Sequence, residues 1–123
     1  MNRRRGQDPD PVLGLLLDAH GETYQLPGGY WVKVEAWLVE PRPEIPHSTR
    51  YSLTLYDRRG TRVLGFDNAH RVRFRRPRYG TRSLVWDHLH IEEQLETYEF
   101  RSAGRLLLDF WQRVNNYLVD RGL

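Results

Sequence analysis

The pattern of hydrophobic and polar positions divides the chain into an N-terminal segment, an alternating middle and a C-terminal segment with helical spacing. Residues 12–17 are almost all apolar, follow Pro11 and precede Gly21, and they predict a short helix. A continuous apolar run is also compatible with a buried strand. Residues 1–10 are polar and lack an apolar period, so we expect a flexible arm ahead of a single domain over residues 11–123.

The middle of the chain shows the period of two that is typical of half-buried strands. Residues 30–40 predict a long strand, and the prolines that follow predict a loop. Residues 50–56 and 61–66 predict two antiparallel strands, joined by a tight turn that Gly60 permits. Residues 71–76 and 83–91 predict further strands, so the expected sheet has about five.

The C-terminal segment has the spacing of an amphipathic helix, with Ser102 placed to cap its start and Gly122 placed to end it. Its apolar residues recur at intervals of three and four: Leu106, Leu107, Phe110, Val114, Tyr117 and Leu118. Such a helix needs an apolar partner surface, which one face of the sheet offers. The sequence therefore predicts an α+β fold: an antiparallel sheet of about five strands, a C-terminal helix packed across one face and a short N-terminal helix.

Composition excludes several classes of protein. The chain has no cysteine, which rules out disulfide frameworks, cysteine-based metal sites and thiol nucleophiles. Its longest apolar run is far shorter than the roughly 20 residues of a membrane span. The arginines at positions 3–5 precede a polar stretch rather than an apolar signal core, so we expect a cytoplasmic protein that does not enter membranes.

Charge is distributed unevenly along the chain. Residues 58–82 carry nine arginines and one acid, a net charge of +8, whereas the segments on either side are net negative. Phe74 and Tyr79 are interspersed among these arginines, and guanidinium groups beside stackable rings are typical of proteins that bind single-stranded nucleic acid. A basic segment of this kind can also dock an acidic protein.

Two short clusters contain the candidate chemistry. Asp67, Asn68 and His70 follow one predicted strand, and His88 and His90 lie two positions apart in another, where their side chains share a face. If these strands are close in the sheet, three histidines, an aspartate and an asparagine converge. The structural alternative is that the histidines lie at the surface or the edge of the core, and that Asp67 and Asn68 stabilise a turn.

These motifs, in this order, resemble the TumE family of small bacterial toxins from toxin-antitoxin pairs. The resemblance extends over about residues 24–119, and its most specific elements are the string 66–70 (aromatic-Asp-Asn-Ala-His) and the later His-x-His at 88–90. It implies a growth-inhibiting toxin. Its partner would be an antitoxin, typically a small helix-turn-helix DNA-binding protein.

Ribonuclease chemistry fits these residues. Cleavage of RNA by its own 2′-hydroxyl needs a base, an acid and positive charge at the phosphate, and it needs no cofactor. His70 is expected to act with His88 or His90 as acid and base, while Asp67 orients an imidazole. Asn68 would hold backbone or substrate. The candidate phosphate contacts are Arg73, Arg75 and Arg76.

Two alternatives remain. His70, His88, His90 and Asp67 could instead bind a divalent metal ion, because nitrogen and carboxylate ligands at these spacings suit such a site. A non-catalytic module would use the same basic surface to dock RNA or an acidic protein partner.

Overall fold

The computed structural model describes residues 12–41, 48–68, 72–73, 84–85, 87–92 and 94–123. Within these ranges the chain forms two α-helices and eight strands, in the order α1 (Leu13–Asp18), β1 (Thr23–Gln25), β2 (Trp31–Leu38), β3 (Thr49–Tyr56), β4 (Arg62–Asp67), β5 (Val72–Arg73), β6 (Leu84–Val85), β7 (His88–Ile91), β8 (Gln94–Thr97) and α2 (Ala103–Asp120). The expected arm over residues 1–10 lies outside the described residues.

The main sheet is antiparallel, with six strands in the order β1-β2-β3-β4-β7-β8. Strands β5 and β6 pair with each other in a separate two-stranded sheet. They lie between β4 and β7 in sequence, so β4 and β7 become neighbours across an inserted segment. This connection brings together the strands that hold the two candidate clusters.

Helix α2 packs on one face of the sheet, as the sequence predicts. Its buried side chains lie along one stripe: Ala103, Leu106, Phe110, Val114 and Leu118. The alternation of the strands supplies the opposing apolar surface: Val32, Val34, Ala36, Tyr51, Leu53, Leu55, Leu64, Phe66 and Leu89. Burying each of the larger aliphatic side chains contributes about 1.5–3 kcal/mol, so this interface is the main source of stability.

Local signals in the sequence fix the ends of several elements. The Oγ of Ser102 accepts a hydrogen bond of 3.0 Å from the backbone N–H of Arg105 and caps α2. Gly122 follows the helix with φ of +80°. In the turn between β3 and β4, Gly60 has φ of +85°, and the Asp57 carboxylate accepts the backbone N–H groups of Arg59 and Thr61.

The main sheet has six strands where the sequence predicts about five. All four residues of β8 are exposed, so the strand has no alternation of burial for a sequence pattern to reveal. The predicted strand over 83–91 is divided, because the chain bends at Asp87 between β6 and β7. Of the predicted strand over 71–76, the structure describes Val72–Arg73, which pairs with β6 outside the main sheet.

Candidate functional site on the outer face of the sheet

The face of the main sheet opposite α2, called here the outer face, contains the polar positions of the alternating pattern. Residues that pair across neighbouring strands lie side by side on this face. One row contains Glu35, Ser52, Asp67, His88 and Thr97 as successive Cα partners, and the next contains Lys33, Thr54, Gly65, His90 and Leu95. The register therefore places Asp67 of the first cluster beside the positions of His88 and His90 of the second cluster on the sheet.

Asp67 and His90 are in direct contact. The imidazole Nε2 of His90 lies 3.2 Å from the Oδ2 of Asp67, and the two side chains are 16% and 8% exposed. His90 pairs with Gly65, two residues before Asp67, so the contact is diagonal between neighbouring strands. A carboxylate at this distance stabilises the protonated imidazole and restricts the orientation of the ring.

The side chain of Asn68 continues the pairing of the sheet beyond the end of β4. Its Oδ1 accepts a hydrogen bond of 2.9 Å from the backbone N–H of Tyr51, and its Nδ2 donates one of 2.8 Å to the backbone oxygen of Thr49. The backbone N–H of Asn68 also donates to the Tyr51 oxygen. The residue is fully buried. In this arrangement the Asn68 side chain binds the backbone of β3, and it fixes the position at which the chain leaves β4 after Asp67.

Asp87 lies apart from this cluster and faces the core. Its Oδ2 accepts a hydrogen bond of 2.8 Å from the phenol of Tyr51, whose ring packs on Phe100. Burial, together with the negative charge of Asp87, raises the pKa of Tyr51 far above its usual range, so the phenol remains a hydrogen-bond donor. This contact anchors the bend that precedes the two histidines of β7.

The other predicted site residues are less fully described. The backbone of His88 pairs with Asp67, and the backbone of Arg73 belongs to β5. His70, Arg75 and Arg76 lie outside the described residues. Of the proposed metal ligands, the structure brings Asp67 and His90 together, and among the described residues no group of three or more His, Cys, Asp or Glu side chains is placed to hold a metal ion.

Arg62, one of the nine arginines of the basic segment over residues 58–82, also lies on this face, and the sequence pattern does not predict that position. A Cβ added to Gly65 would lie 3.3 Å from the Cδ of Arg62, so the arginine side chain extends over the glycine that pairs with His90. The sequence signal for this contact was Gly65 inside a predicted strand, because a glycine within a strand often marks the close approach of another group.

The family model described as "Toxin TumE" matches residues 24–118 of the chain. The chain belongs to the TumE toxin family. Comparison with curated proteins and with solved structures gives no match. The family match confirms the resemblance found in the sequence, and its span runs from β1 to within α2.

Membership of the TumE family assigns the chain the role of toxin in a toxin-antitoxin system and implies an antitoxin as its partner. Within the described ranges, no helix combines the length and the apolar character needed to cross a membrane.

Proposed function

We propose that this TumE toxin is a ribonuclease in which His90 and Asp67 form part of the catalytic centre. The observation that carries the proposal is the 3.2 Å contact between the imidazole Nε2 and the carboxylate Oδ2 on the outer face. A histidine oriented by a carboxylate recurs in enzymes that transfer protons near neutral pH. The toxin would act on RNA in the cytoplasm.

The reaction uses the 2′-hydroxyl of the RNA as its nucleophile. A base removes the 2′-hydroxyl proton, the 2′-oxygen attacks the adjacent phosphorus, and the bond from phosphorus to the 5′-oxygen breaks. The products are a 2′,3′-cyclic phosphate and a free 5′-hydroxyl, so the 5′-oxygen must receive a proton. We assign that proton to His90, because the Asp67 carboxylate beside it stabilises the protonated ring.

The remaining roles go to residues of the same two clusters and to arginines of the segment between them. His70 or His88 is the proposed base, and the register of β4 and β7, which pairs His88 with Asp67, supports His88 as a neighbour of the reacting atoms. Asn68 acts as a positioning residue through its hydrogen bonds to β3. Arg73, Arg75 and Arg76 are the proposed phosphate contacts, supported by the net charge of +8 over residues 58–82.

The partner is proposed to be a helix-turn-helix antitoxin. An antitoxin that covers the basic segment would exclude RNA by occupying the surface that neutralises phosphate charge. This arrangement explains how one basic surface serves both a nucleic acid and a protein.

A non-catalytic binding module is the second candidate function. It is favoured by the hydrogen bonds of both Asn68 side-chain polar atoms to backbone, which are a structural role. In this alternative the Asp67–His90 contact stabilises the sheet, and the basic surface binds RNA or an acidic protein without cleaving it.

Incubation of the purified toxin with total RNA, with and without a chelator, tests the proposal. The expected result is cleavage that persists in the chelator and leaves cyclic phosphate ends. Cleavage abolished by the chelator and restored by a divalent metal would favour the metal-dependent alternative. Binding without any cleavage would favour the non-catalytic module.

A further inference from the structure

Two aromatic rings stack on the outer face at the end nearest the turn between β3 and β4. The rings of Trp31 and Tyr56 have centroids 4.4 Å apart and an angle of 22° between their planes. Their Cα atoms are partners across β2 and β3, and both residues are partly exposed. The hydrophobic core does not include this pair, and the mechanism proposed above does not use it.

Arginines surround this aromatic pair. Arg62 is the Cα partner of Tyr56, next to an irregularity in the register of β3 and β4. Arg58 and Arg59 lie in the adjoining turn, and the Arg58 side chain packs closely against Gly29, just before β2. All three arginines are exposed, and among the described residues none of them forms an ion pair. Their charges are therefore placed to bind an anion beside the rings.

The aromatic pair and the Asp67–His90 contact are close on the same face. Tyr56 lies two residues along β3 from Thr54, which pairs with Gly65 and so shares a row with His90, and this step is about 7 Å. Across the sheet, β3 is separated from β7 by two strand spacings, about 10 Å. The side chain of Arg62 spans part of this interval, because its Cδ lies over Gly65. Neighbouring nucleotides of one strand can contact both places.

We propose that Trp31, Tyr56 and Arg62 form a subsite for single-stranded RNA, which rests on the function proposed above. An unpaired base extends the stack of the two rings, and the Arg62 guanidinium contacts the phosphate between that base and His90. Aromatic platforms flanked by arginine bind single strands because every base has a flat face, whereas a duplex keeps its bases stacked inside. An acidic protein would use the arginines but has no comparable use for the aromatic pair.

Binding of a short fluorescein-labelled 2′-O-methyl RNA oligonucleotide, which lacks the attacking hydroxyl, tests the subsite separately from cleavage. We expect Tyr56→Leu to weaken binding at least about fivefold, from the loss of base stacking. Arg62→Gln should weaken binding and reduce the slope of log affinity against log salt by about one. Arg101→Gln is the matched control, because that side chain is exposed beside the start of α2 and pairs with Glu99.

A second readout guards against loss of fold in Tyr56→Leu. Trp31→Phe keeps a ring in the stack, so it should weaken binding of the oligonucleotide less than Tyr56→Leu does. It should also remove most of the quenching of tryptophan fluorescence that binding produces in the unsubstituted toxin. Far-ultraviolet circular dichroism checks each variant.

Three results would overturn the subsite. The first is an unchanged affinity of both Tyr56→Leu and Arg62→Gln for the oligonucleotide, and the second is an equal affinity of the toxin for a duplex. The third is that the two substitutions weaken binding of the antitoxin but not binding of RNA. If the toxin binds the oligonucleotide through these residues yet cleaves no RNA, the ribonuclease proposal fails while the subsite stands. If the toxin cleaves RNA and the variants bind it normally, the subsite alone fails.

Discussion

The phenol oxygen of Tyr51 donates a 2.8 Å hydrogen bond to the Asp87 carboxylate and so ties the middle of β3 to the bend before β7. Because the bend divides the strand that the sequence predicts as continuous, this contact helps set where β7 begins. It also helps determine on which face of the main sheet the His90 side chain lies. The backbone N–H of Tyr51 also donates a hydrogen bond to the Asn68 Oδ1, and its backbone oxygen accepts one from the Asn68 N–H. Tyr51 therefore contacts residues at both clusters of the candidate site.

Replacing Tyr51 with phenylalanine removes the hydrogen bond to Asp87 and leaves the buried ring in place. We expect the free energy of unfolding to fall by about 1.5–3 kcal/mol at neutral pH, because the lost bond has a charged acceptor. Denaturant unfolding measures the change. Tyr56→Phe is the matched control, since the Tyr56 side chain is only partly buried, and an equal loss in both variants would contradict a special role for Tyr51.

Stability should fall as the solution becomes more alkaline than about pH 10. The pKa of Tyr51 is raised by burial first and by Asp87 second, and the pKa of Tyr98 is raised by burial and its hydrogen bond to Asp109. Above pH 10 the unfolded chain therefore releases protons that the folded chain retains. This difference favours unfolding by up to about 1.4 kcal/mol per pH unit for Tyr51, and by less for Tyr98, which is partly exposed and screened by solvent. Below pH 10 this contribution is fully present.

Unfolding free energies measured between pH 8 and pH 11 check that expectation. Tyr51→Phe should show a shallower alkaline decline than the unsubstituted chain, because one of the retained protons is gone. Identical slopes for the two proteins would contradict the assignment.

Asn68→Ala is expected to destabilise the fold by about 2–5 kcal/mol. The substitution leaves the backbone N–H of Tyr51 and the backbone oxygen of Thr49 without the side-chain partners they now have, in a fully buried position. Thermal and denaturant unfolding measure the effect. Asn115→Ala on the exposed side of α2 is the control and should change stability by less than about 0.5 kcal/mol.

RNA cleavage should depend on pH with a maximum between about pH 5 and pH 8, the range in which histidines titrate. The rate falls on the acid side because the base becomes protonated, and it falls on the alkaline side because His90 loses the proton that it must donate. Initial rates measured across this range provide the test. A flat profile would exclude a mechanism that uses two histidines.

The elements with a strong local signal were predictable from the sequence. The cap at Ser102, the turn at Gly60 and the alternation in β2 and β3 each depend on neighbouring residues, so one sequence suffices to find them. Strand β8 was not predictable in this way, because an exposed edge strand has no buried face to impose a pattern.

The candidate site was predictable in part. The spacing of residues 88–90 and the position of Asp67 at the end of a strand indicated that the two clusters could meet. The diagonal contact of Asp67 with His90 depends on the register between β4 and β7, which are separated by the inserted β5 and β6. Likewise, Arg62 joins the outer face through the irregular register beside Tyr56, and no local pattern indicates such an offset.

The pair of His90 and Asp67 is tested most directly by the initial rate of RNA cleavage in His90→Ala, compared with the unsubstituted toxin. We expect a loss of about 10²–10⁴-fold, the usual contribution of a general acid, in a variant that still binds the antitoxin and has the circular dichroism spectrum of the unsubstituted toxin. His20→Ala is the matched control and should cleave at the normal rate, because His20 lies at the end of α1 and bonds to the backbone of Ala36. Cleavage by His90→Ala at the rate of the unsubstituted toxin would show that His90 is not the general acid.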